Sequence, residues 1–409
     1  MKLALKADRL IDGTGADAMQ NAAIVIENGR ITEITTQDAL QFAPGEDVDV
    51  VQVEGGSIMP GFIEVHTHMH CSAEVEAYQH IMTETDEIFL MRAVGAVRDT
   101  LSSGVTTMRD LGSRNQVAFP IVKAIEDGII PGPRLIVVGT PITTTGGHCH
   151  MFGTEADTTD EVLQAVRQQF KLGAGYIKIM ATGGGFTPGT NTRAPQYPAS
   201  TLKAAVQDAE RLGLRVAAHC HASAGVRNCV EAGVHNIIHC TWLAEDEEQM
   251  YDYDPDVTDM IVEKGLWVDP TLALGRLNRM RGRATGGAVA SQNQERRFEI
   301  LRDMWDRGVK FVTGMDSGMT NARFNDFAYI PQIMVEDMHI TPMEAIVCST
   351  KTSAECLGIE DETGTLEVGK AADIVIVDGD PTLDIKAMHE VNTVVAQGNV
   401  VKREGELLI

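Results

Sequence analysis

Two histidines one residue apart, His66 and His68, close the short apolar run Pro60-Gly61-Phe62-Ile63-Glu64-Val65-His66-Thr67-His68. On a strand, residues i and i+2 project from the same face, so both imidazoles can reach a single metal ion. Burying two such rings is costly unless they are ligated or hydrogen-bonded. One pair of this kind is as often a satisfied core feature as a ligand set, so the weight falls on what stands downstream. There the chain offers Lys178 in Tyr176-Ile177-Lys178-Ile179-Met180, His219 and His221 in Ala218-His219-Cys220-His221, His239 in Ile237-Ile238-His239, and Asp316 in Gly314-Met315-Asp316. These are the ligand types of a divalent metal site.

The elements that carry them alternate. Eight apolar strand-like runs cover Gly61–His68, Thr106–Leu111, Arg134–Gly139, Tyr176–Ala181, Arg215–Cys220, Asn236–Cys240, Trp267–Leu272 and Phe311–Asp316. Helical patterns fall between most of them, at Thr85–Leu101, Thr159–Leu172, Ser200–Leu212, Ala222–Ala232 and Gln292–Arg307, with Ser200 read as an N-cap and Gly213 as a stop. Alternation of this kind implies βαβ units and a parallel sheet. No dinucleotide-type glycine fingerprint follows the first strand, which favours a closed (β/α)8 TIM barrel over an open sheet. Chemistry in such barrels sits at the C-terminal strand ends, which is where these ligand-type residues fall. Residues 1–58 and 363–409 are rich in short strands and are expected to pair as a small β-sandwich, leaving 59–362 for the barrel; Asn28-Gly29 is a hairpin signal within the first of them.

Lys178 is the unusual member. Desolvation in an apolar strand depresses an ammonium pKa, and the neutral amine can add carbon dioxide to give a carbamate, a carboxylate-like ligand. With Lys178 included, the pattern resembles the amidohydrolase superfamily in its binuclear, carboxylated-lysine subtype. The phrases Lys178-Ile179-Met180-Ala181-Thr182-Gly183-Gly184, Val216-Ala217-Ala218-His219-Cys220-His221 and Met315-Asp316-Ser317-Gly318 are similar to the branch holding prolidase-like dipeptidases and phenylurea hydrolases. The resemblance implies two divalent ions, zinc by donor type, one on His66, His68 and Asp316 and the other on His219 and His239. A carbamate on Lys178, formed from carbon dioxide, and a hydroxide would bridge them. Asp316 would take a proton from the attacking water and pass it to the leaving nitrogen. His148, in the loop after the third strand, would polarise the substrate carbonyl. His219 is preferred to His221 as ligand because His221 stands at the start of a loop, and His221 stays the alternative.

The implied reaction is cleavage of a C–N amide bond in a small molecule, a dipeptide or N-acyl amino acid, with an aryl urea, carbamate or anilide as the second substrate class. A mononuclear deaminase would need a glutamate beside the fifth strand, and His219-Cys220-His221 offers none. A glycosidase would place paired carboxylates across the cleft, and an inactive scaffold would have lost ligands. A substrate carboxylate would be met by arginine, with Arg114, Arg193, Arg276 and Arg323 as candidates; Trp242 and His221 are further candidates for contacting substrate. A net charge of −24 excludes nucleic acid and anionic membranes as partners. No apolar run reaches transmembrane length, and seven cysteines without a small-domain framework point to reduced thiols and the cytoplasm. The expected assembly is a homo-oligomer.

Overall fold

Four strands occupy the beginning of the chain: β1 (Lys2–Leu10), β2 (Met19–Glu27), β3 (Arg30–Thr36) and β4 (Val48–Pro60). The turn between β2 and β3 is Asn28-Gly29, with φ of 50° and 76°. Two consecutive left-handed residues are what a tight hairpin requires, and asparagine and glycine tolerate that conformation best. The computed structural model describes residues 2–281 and 287–409.

An α/β region follows. Its strands are β5 (Phe62–Thr67), β6 (Val105–Asp110), β7 (Arg134–Val137), β8 (Ile142–Thr143), β9 (Thr154–Glu155), β10 (Ile177–Met180), β11 (Val216–Ala222), β12 (Asn236–Leu243), β13 (Trp267–Asp269) and β14 (Lys310–Phe311). They form a three-stranded parallel sheet, β5-β6-β7, and a seven-stranded parallel sheet, β14-β13-β12-β11-β10-β8-β9. Backbone hydrogen bonds run across both seams. Gly175 N donates to Val137 O at 2.9 Å, and on the other side Val65 N donates to Thr313 O at 3.0 Å and Ser317 N to His66 O at 3.1 Å. Each of the eight expected strand runs holds a strand. The last is much shorter than its sequence suggests, because past Phe311 the chain leaves the regular ladder and Asp316 takes a left-handed φ of 60°.

Helices alternate with these strands. Thr159–Leu172 keeps its expected bounds, and the structure shows what sets them, a capping box between Thr158 and Glu161 and left-handed Gly173. Ser200 does not cap its helix; Pro198 takes the N-cap position and Ser200 lies in the first turn. A proline φ already suits that entry, which is why the helix begins earlier than a serine cap would set it. Ligand-bearing strands are rigid because their outward side chains are packed: Phe62 stacks on Phe327 with centroids 5.5 Å apart, and Ile177, Ile179, Val216 and Ala218 are all fully buried. Each large apolar side chain so buried contributes roughly 1.5–3 kcal/mol.

The chain ends in β15 (Ile374–Asp378), β16 (Val391–Ala396), β17 (Asn399–Arg403) and β18 (Glu406–Leu407). Both termini join one hydrogen-bonded sheet of eight strands, ordered β18-β17-β16-β15-β4-β1-β2-β3. β4 stitches the halves together, parallel to β1 and antiparallel to β15. Among the described residues no helix is long and apolar enough to cross a membrane.

Candidate metal centre and active site

His66 and His68 leave the end of β5 side by side. His68 Nδ1 lies 3.0 Å from the carbonyl oxygen of Gly112; a carbonyl only accepts, so Nδ1 carries the ring proton. His66 Nδ1 is fixed in the same way by Asp269, whose Oδ2 lies 2.8 Å away. Both Nε2 atoms then turn lone pairs toward a single oxygen of Asp316, at 3.2 and 3.3 Å. Lone pairs facing one another repel unless a cation stands between them. A proton is poorly suited, since burial pushes the His66 pKa well below its ordinary range. Two ligands bonded at about 2.0–2.1 Å to one tetrahedral ion stand about 3.3 Å apart, so the donor set fits a divalent metal.

A second group lies beside the first. His219, His221 and His239 bring one ligand atom each within 4.8 Å of one another. His219 Nε2 lies 3.1 Å from Gly183 O, so this ring's proton sits on Nε2 and its Nδ1 is free. His221 Nδ1 pairs with Thr241 Oγ1 at 2.8 Å. β11 runs on to Ala222, so His221 lies within the strand and not at the start of a loop, and as residues two apart His219 and His221 project from one face; the register shift that follows puts its extra residues on β12, between His239 and Leu243. His239 has a left-handed φ of 65°, a strained state typical of functional positions. Its ring lies 5.4 Å from that of His66, linking the two groups.

Both groups open into one cavity of about 490 Å³, which Lys178 and His148 also line. Burial lowers the Lys178 pKa to about 8 and that of His148 to about 3. The His148 ring stands 4.3 Å from that of His219, and its Nδ1 is buried without a partner. Apolar side chains form the mouth, with Tyr78 edge-on to Phe186 at 5.8 Å and Leu274 and Met319 nearby. The arrangement can hold divalent ions against neutral imidazoles, carry an ionised carboxylate and offer a ring N–H to a polar ligand.

The Amidohydrolase family model matches residues 57–401. The chain belongs to the amidohydrolase family. Over 423 aligned residues it is 26% identical to an ochratoxinase of Aspergillus niger, covering 94% of this chain and 82% of that protein. The crystal structure of a Xaa-Pro dipeptidase with bound methionine superposes with a TM-score of 0.86 at 27% identity, covering 98% of this chain and 100% of that one. Phenylurea hydrolase B, at 21% identity and a TM-score of 0.79 over 98% of this chain and 97% of that one, shares the fold. Family and neighbours make this a hydrolytic enzyme, of a family that depends on metal.

In this amidohydrolase the cavity gathers His66, His68, His148, Lys178, His219, His221, His239 and Asp316. Two expected substrate contacts fall elsewhere. Trp242 is buried in the main core, its indole N–H directed at Met304 Sδ, because its left-handed φ of 60° turns it away from the cavity. Arg193 is consumed by the 244–250 loop, donating to Ala244 O, Asp246 O and Gln249 O. The other expected arginines are also away from the cavity: Arg114 donates to Ile81 O, Arg276 pairs with Glu336 at 2.7 Å, and Arg323 is exposed.

Three supporting carboxylates went unread in the sequence. Asp269 orients His66. Glu64 accepts from His66 N at 2.8 Å and Met315 N at 3.0 Å, tying the first ligand strand to the last. Asp110 accepts from Met69 N, Gly112 N and Ser113 Oγ, and so places the carbonyl that orients His68. Asp269 lies inside the seventh expected run, Trp267–Leu272, and the observed strand ends on it, three residues earlier than that run. Arg297, which lines the cavity from a helix, had no signal.

Proposed function

We propose that this chain is a binuclear metal-dependent hydrolase that cleaves a C–N amide bond in a small molecule, a dipeptide or an N-acyl amino acid. The observation that carries the reading is the convergence of two ligand groups, Lys178 and an unpartnered His148 nitrogen on one cavity. His66, His68 and Asp316 would hold one ion and His219 and His239 the other, with His221 as the alternative to His219. Lys178, as its carbamate, would hold both, and zinc suits nitrogen and carboxylate donors. Bound there, such ions would polarise a carbonyl and acidify water.

The chain's own residues do the rest. Asp316 accepts the proton of the attacking water and delivers it to the leaving nitrogen as the C–N bond breaks. His148 donates its ring N–H to the carbonyl oxygen, where charge develops. The apolar mouth excludes water from the reacting bond. Similarity to a Xaa-Pro dipeptidase over 98% of the chain supports a peptide-like amide. The aromatic rim of Tyr78 and Phe186 favours the second reading, an aryl urea, carbamate or anilide.

The reading extends to architecture. The hydrogen bonds across both sheet seams support a (β/α)8 TIM barrel over residues 59–362. The apolar cluster under the terminal sheet, with Leu5, Ile24, Ile58 and Ile376 fully buried, supports a β-sandwich formed by 1–58 and 363–409. We place the enzyme in the cytoplasm as a homo-oligomer. A panel of dipeptides, N-acyl amino acids and aryl ureas offered to zinc-loaded protein tests the reaction: turnover confined to C–N bonds of the first two classes is expected, and no C–N cleavage in any class would refute it.

A further inference from the structure

Arg297 stands in the cavity wall in an unusual condition. Its Nη2 donates to the carbonyl oxygen of Pro270, while its Nε is buried without a partner. No carboxylate among the described residues lies within ion-pair distance of it, and residues 282–291, just ahead of it in the sequence, contain no aspartate or glutamate. Asp269, the carboxylate whose charge bears on it, is already engaged by His66 and by Thr271 N. Several other arginines meet an acid, Arg92 at Glu84, Arg281 at Asp326 and Arg403 at Asp49, and Arg109, which like Arg297 meets none, donates to Val65 O and Asn236 and does not line the cavity. In a chain with 58 acidic residues against 34 basic ones, Arg297 is the arginine that lines this cavity, and no acid meets it there. The other cavity cation, Lys178, lies between the two ligand groups and is committed to them under the proposed function.

We propose that Arg297 is the anchor for a carboxylate on the substrate. This rests on reading the cavity as a site of C–N hydrolysis, and it narrows the substrates to N-acylated amino acids and peptides with a free carboxylate, against neutral ureas, carbamates and anilides. A guanidinium held at one nitrogen by a backbone carbonyl keeps its remaining N–H groups in a fixed fork that matches a carboxylate in plane. Restraint by Pro270 lowers the ordering cost of that pairing.

The test compares N-acetyl-L-phenylalanine with N-acetyl-L-phenylalaninamide, which differ only in that charge. Binding to zinc-loaded wild type, Arg297→Met and Arg297→Gln is measured by calorimetry, with metal content and circular dichroism checked for each protein. Wild type is expected to bind the acid at least about 10-fold tighter than the amide, with the preference reduced on the order of 10- to 100-fold in both variants, the scale of losing one partner of a desolvated charge pair. Arg297→Gln keeps a donor for Pro270 O and decides the matter should the methionine variant not fold. No acid preference in wild type, or a preference undiminished in a folded variant, overturns the anchor and assigns any carboxylate to the metal ligands instead. Turnover is read separately. An Arg297-dependent preference with no hydrolysis of any amide would leave the anchor standing and remove the hydrolase reading.

Discussion

An amine whose pKa is about 8 is mostly ammonium at neutral pH, and only its neutral form adds to carbon dioxide. Lys178 is brought there by burial, so loading metal-free protein with zinc and bicarbonate should accelerate as pH rises from about 7 to 9 and level off above the pKa. Lys178→Met should bind less zinc and lose the bicarbonate dependence, and zinc uptake independent of both bicarbonate and pH would count against the carbamate. Asp316→Asn keeps the shape but cannot hold a proton, and kcat should fall at least about 100-fold in the folded protein; stopped-flow or steady-state turnover at matched metal content reads it. Asp269→Asn removes the acceptor that fixes the His66 tautomer, and zinc affinity should weaken roughly 10- to 100-fold by competition with a chelating dye. At this scale the sequence was most legible where a ligand-type residue sits on a strand end, because alternation tells which face it occupies. It was least legible for Arg297, since a helix position says nothing of which loop or cavity it will meet.

Strands and loops decide how well those residues are aimed. Gly184 lies so close to His148 that an added Cβ would stand 2.3 Å from the imidazole ring. Gly184→Ala should therefore displace His148 without touching a metal ligand, cutting kcat on the order of 10- to 1000-fold, as loss of one oxyanion donor does. Metal analysis of the same preparation should find the wild-type content; loss of metal instead would mean that the glycine supports the ligands. The eight strand runs and the helix Thr159–Leu172 were readable from their apolar patterning, whereas the Ser200 cap was displaced to Pro198. The truncation of β14 at Phe311 was not readable. Val312-Thr313-Gly314 continue the apolar pattern, but the chain there is spent on Thr313–Val65 pairing and on passing Asp269, where a Cβ on Gly314 would lie 2.2 Å from the carboxylate. Proximity to another strand's side chain leaves no periodic trace.

For the molecule as a whole, the two ends of the chain meet through β4, so the frame holding the first ligand strand is completed only when residues after 373 arrive. The strand content of both ends was evident from β-branched runs, whereas their union in one eight-stranded sheet depends on pairings 300 residues apart that no local pattern encodes. The family match over 57–401 spans both regions, while the ligand groups lie between His66 and Asp316. Binuclear metal dependence is tested by stripping the purified protein with a chelator, assaying amide hydrolysis, and titrating zinc back while metal per chain is measured by mass spectrometry. Turnover is expected to vanish on stripping and to recover with saturation at two ions per chain; full turnover in protein shown to be metal-free would contradict metal dependence.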